Sequence, residues 1–153
     1  MKAGRGGFTL VEIMVVTLII GVMASIAIPS FLRARKIALR NRFISDQRVL
    51  CDGLTRLVMS TGSYPPDCQA GEIPPGLASF VKHTDWTKPT EVGGRWDWDY
   101  KTAQCEGLAG LAVDNPTWSD ADMADIDGWI DDGNLETGRF RKNGRHFMYL
   151  LER

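Results

Sequence analysis

The chain has 153 residues, with 18 Lys and Arg against 19 Asp and Glu and a formal net charge of −1. That balance removes the electrostatic case for nucleic acid as a partner, and the length fits one domain plus an anchor. Three cysteines, Cys51, Cys68 and Cys105, allow one disulfide and leave one thiol.

A short polar leader, Met1-Lys2-Ala3-Gly4-Arg5-Gly6-Gly7, precedes residues 8–28, which are apolar apart from Glu12 and a few small hydroxyl residues. About 21 residues at ~1.5 Å each span ~30 Å of hydrocarbon as a helix. No polar face interrupts the stretch, as it would in a soluble amphipathic helix. A secretory signal peptide puts its small-residue cleavage site after the apolar region. Here Gly6-Gly7 come before it, so a cut at that point removes the basic leader and keeps the helix attached. The run Gly7-Phe8-Thr9-Leu10-Val11-Glu12 resembles the class III signal of the type IV pilin and pseudopilin superfamily. The resemblance covers residues 1 to about 36 strongly, and the remainder only in layout. It implies cleavage between Gly7 and Phe8, N-methylation of the new Phe8 amine and an assembly role for Glu12. The implied partners are other pilin-like subunits in a homo- or hetero-polymeric filament, a prepilin peptidase and methyltransferase, an inner-membrane assembly platform and membrane lipid. The implied location is the bacterial inner membrane, single-pass with the N-terminus cytoplasmic and the globular part extracytoplasmic, and then the filament.

Gly21 and Pro29 are the weak points of this helix: an interior glycine costs ~1 kcal/mol against alanine and an interior proline about 3. Both residues are common in ordinary transmembrane helices. The family resemblance adds a second reading, in which they bracket a segment that loosens when subunits pack into a filament. Arg33, Arg35, Lys36, Arg40 and Arg42 follow the span, against Lys2 and Arg5 ahead of it. Charge counting alone therefore favours the opposite orientation, and the resemblance overrides it. The basic run reads first as a solvated or headgroup-facing surface and second as a source of pairing between subunits.

Beyond Pro29 the apolar positions recur at helical spacing. Phe43, Leu50, Leu54 and Leu57 form one stripe with Ile44 and Val58 beside it, which predicts an amphipathic helix to about Ser60. Thr61-Gly62 supplies the stop, and Pro65-Pro66 forbids continuation. Residues 61–95 are rich in proline and glycine, with one short helix expected from Pro75 to Lys82 and Leu77, Phe80 and Val81 turned inward. Strict alternation in Arg95-Trp96-Asp97-Trp98-Asp99-Tyr100 predicts a strand with the aromatics on one face and both aspartates on the other. Leu108 to Val113 is a second strand. Ser119 is the N-cap of a helix in which Met123, Ile126 and Ile130 share a face, ending at Asp131-Asp132-Gly133-Asn134. Gly138 to Lys142 and Arg145 to Leu151 flank Asn143-Gly144, a two-residue hairpin signal.

The expected architecture is α+β, a long N-terminal helix packed on a small antiparallel sheet. Its segments are 1–7 leader, 8–29 transmembrane and assembly helix, 30–60 amphipathic continuation, and 61–153 globular domain. No catalytic set emerges. His83 and His146 are the only histidines, and no phosphate-binding loop or zinc spacing accompanies them. Cys51 sits beside the apolar helix face and reads as a small hydrophobe, which leaves Cys68 and Cys105 as the favoured pair with the other pairings open. The acidic run Asp120, Asp122, Asp125, Asp127, Asp131 and Asp132 invites a calcium reading, but calcium needs six to eight converging oxygens and the EF-hand pattern is absent. The superfamily includes members that hold calcium in a C-terminal loop, so Asp131 and Asp132 stay as candidates beside the reading of a solvated helix end. No calcium dependence of folding is expected. The chain thus reads as a non-enzymatic filament subunit of the secretion pseudopilin kind, with a pilus pilin as the alternative. A more distant alternative is a membrane-anchored extracytoplasmic module binding through its aromatic face.

Overall fold

The computed structural model describes residues 9–81, 86–103, 105 and 109–152. Helix α1 runs over Leu10–Thr61, strand β1 over Arg95–Tyr100, β2 over Ala109–Asp114, helix α2 over Asp120–Ile130, β3 over Phe140–Asn143 and β4 over His146–Glu152. The contacts divide the chain into two units, Met1–Ala38 and Leu39–Arg153. The division falls inside α1, so its last two dozen residues belong with the sheet.

The four strands form one antiparallel sheet in the order β1-β2-β4-β3. Side chains alternate across it. One face carries Trp96 and Trp98 of β1, Leu111 and Val113 of β2, Phe147 of β4 and Phe140 of β3, and these form one core with Phe43, Leu50, Leu54 and Leu57 of α1 and Met123 and Ile126 of α2. The predicted stripe on α1 is therefore the buried one, and Phe43 stacks on Trp96 with ring centroids 5.1 Å apart. Trp98 is fully buried, and its indole N–H donates to the Pro65 carbonyl at 3.1 Å. This removes the aromatic face as a binding surface: the tryptophans are the sheet's contribution to the core.

The second face of the sheet carries a smaller apolar group, Cys105, Ala112, Met148 and Leu150. Asp97 and Asp99 share that face and are buried there. Covered on both sides, β2 reads as Ala-Gly-Leu-Ala-Val without the apolar–polar alternation of a half-exposed strand.

Helix α1 ends at Thr61, where Gly62 takes a φ of 79° and its N–H donates to the Val58 carbonyl. Ser119 caps α2, its side chain accepting from the Asp122 N–H at 3.3 Å. Two expectations shift. The element expected from Pro75 is a single 3-10 turn, Leu77–Ser79; Leu77 and Val81 are buried, but Phe80 is turned outward. One turn is too short to sustain an inner face, so only its anchor and the residue that returns toward the core are covered. The hairpin loop moves by one residue: Asn143 pairs with His146, and the loop is Gly144-Arg145. Gly144 has φ 60° while Arg145 keeps a negative φ, the pattern of a turn with glycine at its first central position.

Candidate functional site

The N-terminal half of α1 is the first candidate. From Thr9 to Ala38 every residue is exposed except Ala24, which is half-buried. Isoleucines, valines, leucines and methionines with no protein cover mark a surface meant for lipid or for another chain. Among the described residues α1 holds the one stretch long and apolar enough to cross a membrane, consistent with single-pass insertion. The polar groups inside it are satisfied locally. Thr17 Oγ1 donates to the carbonyls of Ile13 and Met14, and Ser25 Oγ to that of Val22. The helix is continuous through Gly21 and Pro29.

Glu12 closes the start of this helix. Its Oε2 accepts from the Thr9 N–H and from Thr9 Oγ1, both at 2.8 Å, while its own N–H donates to Thr9 Oγ1 at 3.2 Å. This is a reciprocal capping box. Sequence reading passed over it, although Thr9-Leu10-Val11-Glu12 is the T-x-x-E signature. Gly7, Phe8 and His83 lie outside the described residues.

The basic run splits by position. Arg33 and Arg35 are exposed. Arg40 pairs with Asp125 at 2.6 Å and lies 4.8 Å from the Trp129 ring centroid, so it ties α1 to α2. Arg42 pairs with Glu91 at 2.8 Å. At these two positions the charge is used within the domain.

All three cysteines are thiols, and the Cys68–Cys105 bridge is not formed. Cys68 packs against the helix-covered core and its Sγ donates to the Glu72 carbonyl. Cys105 belongs to the apolar group on the opposite face of the sheet, its Sγ donating to the Thr102 carbonyl. Burial pushes the Cys51 and Cys68 thiols up to about 12.

The acidic helix disperses as expected, with one exception. Asp120 pairs with Lys142 and Asp125 with Arg40. Asp127 is instead 0% exposed, with neither carboxylate oxygen in an aligned hydrogen bond, and it gathers with Asp131 and Asp132. Burial, then Asp132 and Asp131, raise its carboxyl to about 6. The signal was present: Asp127 lies four residues after Met123, on the inner face. Asp131 Oδ2 accepts from the Arg139 N–H, and Asp132 accepts from the Asn134 N–H at 2.9 Å and from Thr137 Oγ1 at 2.7 Å. Both candidate calcium ligands thus shape the loop that follows α2.

Residues 2–28 match the prokaryotic N-terminal methylation motif. The chain is 34% identical over 90 residues to the type II secretion system core protein G of Dickeya chrysanthemi, covering 59% of this chain and 52% of that protein. It is 29% identical over 120 residues to the type IV major fimbrial protein FimA of Dichelobacter nodosus, covering 78% and 68%. Motif and relatives support membership of the type IV pilin and pseudopilin superfamily. The fold agrees: the major type IV pilin PilA1 from Clostridium difficile superposes with a TM-score of 0.53 over 78% of this chain and 97% of that one, at 15% identity. The chain spans about half the length of the secretion-system relatives it matches, 52% and 57% for those of Dickeya chrysanthemi and Escherichia coli.

Proposed function

We propose that the chain is a structural subunit of a type IV-class filament, of the pseudopilin kind that serves type II secretion, and that it polymerises through the apolar half of α1. The observation that carries this reading is the uncovered apolar helix with a single carboxylate one turn from its start. Under this reading a prepilin peptidase cuts between Gly7 and Phe8, the Phe8 amine is methylated, and the domain from Leu39 onward lies outside the cytoplasm. The inner-membrane platform then moves the subunit into the filament, and Gly21 and Pro29 permit α1 to loosen there. The longer alignment with the fimbrial protein favours a pilus subunit as the second reading.

Glu12 has two roles to separate. A carboxylate within the bilayer is costly and usually has a partner or a task. In staggered parallel helices it meets the Phe8 amine of a neighbouring subunit, and low dielectric strengthens that pair. Its contacts with Thr9 supply the competing role, a helix cap worth about 0.5–2 kcal/mol. The two differ in what Thr9→Val does. If Glu12 sets register between subunits, Glu12→Gln lowers filament yield strongly, Thr9→Val lowers it little, and both are processed and inserted. Sheared filament fractions measured beside processed protein in membranes read this out. Equal losses in the two variants would leave the cap as the whole role of Glu12. Intact-mass analysis tests processing separately: a chain still starting at Met1 in a host with an active peptidase would overturn the cleavage step.

A further inference from the structure

The second face of the sheet gathers carboxylates and a histidine away from α1. Alternation along β1 turns Asp97 and Asp99 away from α1, and the register of β2 and β4 brings Asp114 and His146 to the same face. Between β1 and β4, β2 presents Ala112 and Gly110, and Met148 of β4 lies over Gly110. Ligating atoms of Asp97, Asp99 and His146 all lie within 4.8 Å of one another. His146 Nδ1 is 3.5 Å from Asp97 Oδ2, too long for a good hydrogen bond.

These groups are buried at a cost. Asp97 is 7% and Asp99 6% exposed. Asp99 Oδ1 accepts from Thr102 Oγ1 at 3.0 Å, but among the described residues its Oδ2 has no hydrogen-bond partner, and neither does His146 Nδ1. Buried carboxylates and orphaned polar atoms are expensive unless something compensates them. The surroundings add to the negative charge: Asp67 and Asp114 both act on Asp97 and Asp99. The nearby Arg145 Nε is 2.8 Å from Asp114 Oδ1 and so is already matched. Met148, Leu150 and Cys105 pack on the same face as an apolar surround.

We propose that Asp97, Asp99 and His146 form a binding site for a divalent cation of the zinc class, which ties β1 to β4 across β2. The donor set selects the class. Calcium and magnesium take oxygen ligands, whereas an imidazole with carboxylates suits zinc and its first-row neighbours. A tetrahedral ion with bonds of about 2.0–2.1 Å holds adjacent donors roughly 3.4 Å apart, close to the spacing already present between His146 and Asp97. Three protein ligands leave a fourth position for water. The competing occupant is a proton, since burial followed by Asp99, Asp114 and Asp67 raises the Asp97 carboxyl to about 7.

The test uses the full chain in detergent, stripped with chelator and then dialysed against zinc. One ion retained per chain and a raised Tm are expected. Cobalt in place of zinc should give d–d absorption without a thiolate charge-transfer band, which separates this site from the neighbouring Cys105. Asp99→Asn and His146→Gln should each weaken zinc binding by at least about tenfold, while Asp131→Asn leaves it unchanged. Asp99→Asn keeps the side chain's shape and removes a buried charge, so its metal-free Tm should equal or exceed that of the parent. Absence of retained zinc would overturn the proposal and leave a shared proton in its place. Undiminished affinity in Asp99→Asn, or a thiolate band with cobalt, would overturn it equally.

Discussion

At the scale of single residues, burial decides chemistry. Cys51 and Cys68 are held protonated by desolvation, each up to about 12 from an ordinary value of 9.0. In the unfolded chain these thiols ionise near 9 while the native protein keeps its protons, so the native state binds more protons between about pH 9 and 12. Stability therefore falls as pH rises through that window and is unaffected by these groups below it. Chemical denaturation at pH 7.5 and pH 10 should show the drop, and Cys51→Ala should make it smaller. Alkylation of the native protein at pH 8 should be slow at both positions, because the thiolate is the reacting form. Asp131 and Asp132 already accept from loop N–H and O–H groups. Melting curves recorded with chelator and with excess calcium should accordingly coincide, and a clear rise with calcium would make these aspartates ligands.

At the scale of elements, the fit of the 77–81 segment against α1 rests on Gly53. A Cβ there would lie 2.3 Å from Val81 Cγ2 and 3.2 Å from Leu77 Cδ1. Valine is stiff at χ1 and cannot simply swing aside. On helix propensity alone Gly53→Ala would gain up to about 1 kcal/mol, yet the clash should reverse the sign and destabilise by about 1–3 kcal/mol. Gly21 is the contrast, with nothing within 4 Å of its added Cβ. Denaturant midpoints should fall for Gly53→Ala and stay level for Gly21→Ala. A Gly53→Ala protein as stable as the parent would mean that the segment at Leu77–Val81 yields without cost.

At the scale of the molecule, the core draws on no described residue before Leu39; its first member is Phe43. The exposed half of α1 therefore adds no folding energy to the sheet. A chain beginning at Ser30 should be soluble without detergent, unfold cooperatively, and melt within a few degrees of the full chain. Size-exclusion chromatography with thermal circular dichroism checks this. Aggregation or a broad, non-cooperative melt would show that the apolar half supports the fold.

What the sequence determined by itself was what the longer runs of local periodicity carry. The uninterrupted apolar run, the 43–57 stripe, the alternation of Trp96, Trp98 and Tyr100, the Ser119 cap and the C-terminal hairpin each follow from spacing within a few residues, and each appears in the fold. Even the Thr9–Glu12 box and the inward side of Asp127 were readable at helical spacing, though they were passed over. Only the tertiary structure decided what lies opposite a given face. Alternation turned Asp97 and Asp99 away from α1, but solvent and a buried patch look the same along one strand. Their burial depends on Met148 and Leu150 of β4, some 50 residues later, and on the β1-β2-β4 order that brings His146 beside them. The thiols illustrate the same division, since the two faces of the sheet separate Cys68 from Cys105 and no spacing encodes a face. Local propensity works over a turn or a strand pair, whereas charge, burial and partner choice depend on long-range packing.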